Sequence, residues 1–188
     1  MSSVVISGDT SGAITVAAPA VAGTYTQTLP QITGTLGTLN SGTAQASTSG
    51  TSIDFTSIPA NVRRITVMFA GLSTNGTSLP QIQLGAGSVT TSGYLSSYAI
   101  NGTTQSSLTT GIAIPFTTAA DVRHGNIVFT LLGSNTWTAT GVLGLSNAGA
   151  MAYSAGSIAL GGTLDRVRIT TVNGTDTFDA GSINILYE

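Results

Sequence analysis

Catalysis requires reactive groups that converge, and this chain of 188 residues carries few of them. Its one histidine, His124, lies in Asp121-Val122-Arg123-His124-Gly125, and there is no cysteine. Asp121 and a serine could complete an acyl-transfer triad around His124, but that chemistry is usually announced by a Gly-x-Ser-x-Gly elbow. The nearest match, Gly144-Leu145-Ser146-Asn147-Ala148-Gly149, is one residue too long. His124 is therefore read as a residue of a turn or a subunit contact. Asp176 and Asp179 are the only carboxylates paired within a short window. Calcium takes about six to eight oxygens and several carboxylates, so these two are better read as Asx-turn formers or as partners of Arg166 or Arg168. Hydrolysis of a glycan needs two suitably spaced carboxylates, which argues against a depolymerase. With no phosphate loop, dinucleotide glycine motif or His/Cys cluster, the expectation is a non-enzyme with no catalytic residue, no cofactor and no metal.

The arginines are the other chemically informative set. All five basic residues are arginine, at 63, 64, 123, 166 and 168, and lysine is absent. A planar, multi-donor guanidinium suits ordered contacts to carboxylates and carbonyls better than general solubility. Only 6% of residues are charged, against about 25% in an average soluble domain. A net charge of -2 gives no electrostatic reason to expect nucleic acid or an anionic membrane as partner. Low charge with a positive mean hydropathy of +0.34 leaves apolar patches weakly protected, and homo-oligomerisation is the natural resolution. The apolar stretch Ala13 to Ala22 is interrupted by Pro19 and falls far short of the roughly 18 residues of a membrane span, so neither a signal peptide nor membrane insertion is expected.

The elements that must position these groups are strands. From Val4 to Leu36, short β-branched runs are cut by Gly8, Gly12, Pro19, Gly23, Pro30 and Gly34, too closely spaced for a helix. Residues 1–37 read as an extended attachment arm, with Val5, Ile14, Val16, Tyr25 and Leu29 as its candidate anchoring residues. Residues 38–51 have the Ser/Thr/Gly composition of a flexible linker, or else of a long surface loop. The head occupies 52–188. Its longest strand signal is Val62 to Gly71, where Ile65, Val67 and Phe69 alternate with Arg64, Thr66 and Met68. Further runs follow at Gln81, Tyr94, Gly111, Gly125, Thr136, Ala155, Leu164 and Gly181, the spacing of a β-sandwich or jelly roll.

Asn-Gly-Thr recurs at 75, 101 and 173, each where a turn between strands is expected, and Asn173-Gly174 reads as a hairpin turn. Gly125 to Leu132 is apolar on both faces toward its end. It fits a central strand covered by core on one side and a neighbouring subunit on the other, or a purely local core. Trp137 sits between Thr136 and Thr138 on one strand face, where a core or interface anchor is a commoner role than a sugar platform. Tyr94, Tyr98, Trp137 and Tyr153 are the candidate residues for contact with a glycan or host surface.

Two segments of the head, SIDFTSIPANVRRITVMFAGLSTNGTS (52–78) and AGSIALGGTLDRVRITTVNGTDTFDAGSINILYE (155–188), resemble the ends of a domain found in virion proteins of tailed bacteriophages and prophages, including fibre-type proteins. The arm, SGDTSGAITVAAPAVAGTYTQTLPQITGTL (7–36), is similar to a second element of phage structural proteins. The resemblance implies a virion component of the fibre or decoration type, assembled in the bacterial cytoplasm and anchored to capsid or tail by its arm. It further implies a homotrimeric jelly-roll head of the tumour-necrosis-factor-like kind, whose first and last long strands are neighbours. On that basis Val62 to Phe69 should pair with Asp165 to Val172. Partners would be other copies of the chain, other virion proteins and, for a receptor-binding tip, host-surface polysaccharide.

Overall fold

The computed structural model describes residues 3–7, 13–17, 37–101, 105–116 and 118–188. Two compact units divide at residue 36. The first contains an antiparallel pair, β1 (Ser3–Ser7) and β2 (Ala13–Ala17), in register from Ser3 opposite Ala17 to Ser7 opposite Ala13. Val5, Ile14 and Val16 are strand residues of this pair. Tyr25 and Leu29 lie outside the described residues.

The second unit, Gly37–Glu188, is all-β, with no helix among the described residues. In chain order its strands are β3 (Asn40–Ser41), β4 (Gln45–Ala46), β5 (Ser52–Phe55), β6 (Arg64–Thr74), β7 (Pro80–Ala86), β8 (Ser88–Val89), β9 (Leu95–Ile100) and β10 (Gln105–Leu108). There follow β11 (Ile112–Ala113), β12 (Arg123–Gly133), β13 (Thr136–Leu145), β14 (Ala150–Ala159), β15 (Arg166–Thr171) and β16 (Phe178–Tyr187). A nine-stranded antiparallel sheet runs β10-β9-β14-β13-β12-β6-β16-β3, with β4 also on β16. A five-stranded antiparallel sheet runs β11-β7-β15-β5, with β8 on β7.

Alternation explains why these two sheets face each other. Ile65, Val67 and Phe69 of β6, Ile127 and Phe129 of β12, and Ile183 and Ile185 of β16 are all buried on one face of the large sheet. Ile53, Phe55, Ile82, Leu84, Val167 and Ile169 are buried on the facing side of the small sheet. Both sets belong to one apolar cluster, the arrangement of a β-sandwich. Each such side chain contributes about 1.5–3 kcal/mol when fully buried, so this cluster dominates the stability of the head.

The pairing expected between the first and last long strands takes a different form. β6 lies between β12 and β16 in the large sheet, whereas β15 (Arg166–Thr171) pairs with β5 and β7 in the small one. The strand beside β6 is the one after the Asn173-Gly174 turn, with Ile65 opposite Tyr187 and Phe69 opposite Ile183. Asn173-Gly174 is correspondingly not a hairpin turn. Residues 172–177 carry the chain from the small sheet to the large one, and 75–79 carry it the other way. The two crossings brace each other: Asn75 Oδ1 accepts from Thr177 N at 2.9 Å, and Asp176 Oδ2 accepts from Ser78 N at 2.8 Å. At the third Asn-Gly-Thr, residues 102–104 lie outside the described set. The tight hairpin turn is at Ser134-Asn135, between β12 and β13, with φ of 47° and 59°.

Residues 38–51, read as a connector, are laid on the head. Leu186 pairs with Ser41 and Ile183 with Gln45 along the outer edge of β16, and Gln45 Nε2 donates to Asp54 O at 2.8 Å. Polar composition signals flexibility only where no strand edge offers backbone partners, and β16 has such an edge. Where β6 and β16 shift register, Gly71 and Gly181 lie together at φ of 77° and 94°. A side chain at 181 would run into the backbone of Gly71.

Candidate functional site

Register across the large sheet defines its outer face residue by residue. One row runs Gln105, Ala99, Tyr153, Val142, Asn126, Met68, Asn184. The next on the same face runs Ser107, Ser97, Ala155, Thr140, Val128, Thr66, Leu186, Ser41. No residue in either row is charged. Val142 is 48% exposed and Tyr153 45%. Between Tyr153, Val142 and the β9–β10 hairpin lies an open groove of about 570 Å³, with Ser97, Ser107, Thr140 and Gln105 in its lining.

This register separates the aromatic residues proposed from sequence for glycan contact. Tyr153 is on the outer face. Tyr98 also lines the groove, but it pairs with Ser154, which pairs with Gly141 opposite Ile127, so alternation turns its side chain toward the core side of the sheet. Tyr94 is fully buried. Its hydroxyl accepts from Leu84 N at 2.7 Å and reaches the Leu84 and Thr90 carbonyls. Burial pushes its pKa up to about 12, although the Leu84 bond opposes the shift. Trp137 is 2% exposed and packs in the core. Neither Tyr94 nor Trp137 offers a ring face for a sugar to stack on, because apolar rings at these strand positions are worth more in the core than in solvent.

The ionic groups sit elsewhere. On the outer face of the small sheet, Arg168 Nε and Nη2 donate to Asp54 Oδ1 and Oδ2 at 2.8 and 3.1 Å. Arg166 pairs with Asp165 at 2.8 Å and holds that carboxyl below its ordinary range. The partners expected for these arginines, Asp176 and Asp179, are engaged differently. Asp176 accepts from Asn173 Nδ2 at 2.6 Å and from Ser78 N, bonds that hold its pKa down. Asp179 is an exposed residue at the start of β16. No group of three or more His, Asp or Glu suited to a metal ion occurs among the described residues. Arg64 pairs with Glu188 at one end of the large sheet.

Arg123 was the least foreseeable of these residues. Read in sequence, it is merely the neighbour of His124; in the fold it is fully buried while His124 is exposed. Its guanidinium donates to Leu72 O at 3.2 Å and Asp121 O at 3.1 Å, and lies 5.1 Å from the Phe116 ring centroid. Burial lowers its pKa to about 10 against the pull of Asp121 and Asp179. Strand alternation could have flagged it: Arg123, Gly125 and Ile127 share a face, and Ile127 is core. At the opposite end of β12, a second cavity of about 220 Å³ opens beside the Ser134-Asn135 turn, between Arg63 and Trp137.

Fold and site together define an all-β, antiparallel head with one outer face of self-paired ionic groups and one whose two central rows carry no charge, the Arg64–Glu188 pair lying at its end. No family model, curated protein or solved structure matches this chain.

Proposed function

We propose that this chain is a structural component of a tailed-phage virion: a homotrimeric fibre or decoration protein whose N-terminal unit docks to capsid or tail and whose jelly-roll head is displayed. The observation that carries this reading is the central part of the outer face of the nine-stranded sheet, crossed by two full rows without an ionic side chain. Ionic groups are depleted where protein surfaces meet, and a chain with so little charge gains most by covering such a face with copies of itself. The resemblance of segments 7–36, 52–78 and 155–188 to phage virion elements supplies the particle. The test has two arms. Light scattering of the purified chain should give three times the chain mass, and removal of residues 1–37 should leave that mass pattern intact while abolishing attachment to virions. A monomeric head, or a truncated chain that still decorates particles, overturns the reading.

A second reading, a receptor-binding tip for host-surface polysaccharide, is favoured by Tyr153 at the rim of the hydroxyl-lined groove. Loss of glycan-array signal on Tyr153→Ala is its expected result; no glycan signal from the intact chain removes it.

A further inference from the structure

We propose that the cavity beside the Ser134-Asn135 turn binds a single carboxylated sugar ring, a hexuronic acid. This deepens the receptor-binding reading at a different cavity from the Tyr153 groove, so the failure of either is read separately. The cavity measures about 220 Å³, below the roughly 300 Å³ at which drug-sized sites begin. It therefore takes one ring or one terminal group, not a length of chain.

Its two strongest polar groups can only donate. Arg63 lines the cavity and makes no ion pair among the described residues, whereas Arg64, Arg166 and Arg168 each hold a carboxylate. Trp137 also lines it, and the indole Nε1–H of this 2%-exposed side chain is buried without an acceptor. A buried donor left unpaired is destabilising and is the kind of exception that asks for an explanation. Among the described residues the exposed Arg63 guanidinium is met only by solvent and the buried indole N–H by no acceptor; a ligand with paired acceptor oxygens suits this pair of donors, and a carboxylate matches a guanidinium bidentately. No aspartate or glutamate lines the cavity, so the ammonium of a free amino acid would find no counter-charge there. Ser134, Asn135 and Thr163 supply neutral hydroxyl and amide groups, the partners that ring hydroxyls use, and Leu164 adds an aliphatic wall. The turn is held in place by Leu160 N donating to Asn135 O at 3.0 Å.

The chain provides its own probe. Trp137 is the sole tryptophan, so a proton–nitrogen correlation spectrum of the full chain contains one indole signal. Titration with glucuronate should move that signal saturably, while glucose and N-acetylglycine, each carrying half of the chemistry, should leave it in place. Arg63→Gln, a change at an exposed side chain, should weaken glucuronate binding by about tenfold or more. Trp137→Phe, followed by calorimetry, should weaken it as well while keeping an aromatic ring in the core. An indole signal unmoved by glucuronate overturns the proposal, as does an equal response to glucose or an unchanged affinity in Arg63→Gln. An equal response to N-acetylglycine removes the sugar from it.

Discussion

The two outer faces of the head are built from the same kind of strand and could hardly be more different in what they leave unmet. On the small sheet, every prominent polar group is satisfied within the chain. Arg168 is forked onto Asp54, Gln83 Nε2 donates to Thr110 O at 2.9 Å, and Thr110 Oγ1 donates to Gln81 Oε1 at 2.8 Å. Thr170 Oγ1 closes the set on Thr51 O at 2.8 Å. On the large sheet, Val142, Tyr153, Val128, Met68 and Leu186 stand among hydroxyls and amides with no charge between them. A face whose polar groups are bonded to one another has little left to offer a partner. A face of apolar and neutral groups gives up little hydration on contact. On the oligomeric reading proposed above, the large sheet is the face for contact and the small sheet is already satisfied within its own chain.

The sharpest way to break that contrast is to put charge where there is none. Val142→Lys combined with Val128→Lys places two unpaired cations in the outer rows of β13 and β12. Burying them at a subunit contact would cost about 3 kcal/mol or more. The expected outcome is monomer in light scattering with an unchanged circular-dichroism spectrum; persistent trimers would locate the contact elsewhere.

A smaller effect is expected at Tyr94, which belongs to neither outer face and serves as the control. Tyr94→Phe leaves Leu84 N without its acceptor and should lower head stability by about 1–3 kcal/mol, read from the urea midpoint, without altering mass. The pH dependence has a definite sign. The folded-state pKa is about 12 and the ordinary value 10, so the folded head holds this proton more tightly than the unfolded chain. The corresponding stability is present below pH 10 and is lost as pH rises toward 12. Arg123, lowered to about 10, acts oppositely in the same window. The measurement is therefore the difference between parent and Tyr94→Phe, which should vanish only at the alkaline end.

The smallest effect is on the small sheet. Arg168 and Asp54 keep 38% and 32% of their side-chain surface exposed, and pairs of that kind contribute about 0.2–1 kcal/mol. Arg168→Gln should lower the melting temperature slightly and leave the oligomer untouched. A mass change in this variant would reverse the assignment of the two faces.

Much of this head was legible in sequence because period-two alternation is local. Ile65, Val67 and Phe69 announce a buried face in any sheet, and the strands around Gln81, Gly125, Thr136 and Gly181 are found where their β-branched runs lie. What stayed hidden depends on partners far away in the chain. β6 and β15 share an Arg-and-apolar alternation, yet belong to different sheets, because nothing local distinguishes a hairpin at Asn173-Gly174 from a crossing. The same ambiguity misassigned the arginines. Asp54 lies 114 residues from Arg168 and directly across the strand pair, whereas Asp176, only eight positions away by numbering, is consumed by the crossing. The aromatic set is divided for a related reason. Tyr98 and Tyr153 occupy opposite faces only because of the register between β9 and β14, which no single strand reveals.

The two short strands laid along β16 give the head a mechanical property. Asn40–Ser41 and Gln45–Ala46 are attached by four residue pairs, together with Gly42 N to Ile185 O and Ser47 Oγ to Ala180 O. Tension applied through the residues before Asn40 reaches these contacts first, at the Tyr187 end, and is carried by a few bonds at a time. The segment would peel away and lengthen by roughly 3.3 Å for each residue freed, before the long β6–β16 pairing felt any pull. The stretch that reads as slack in the sequence is thus held along the edge of β16 by a short series of bonds that tension would load one after another.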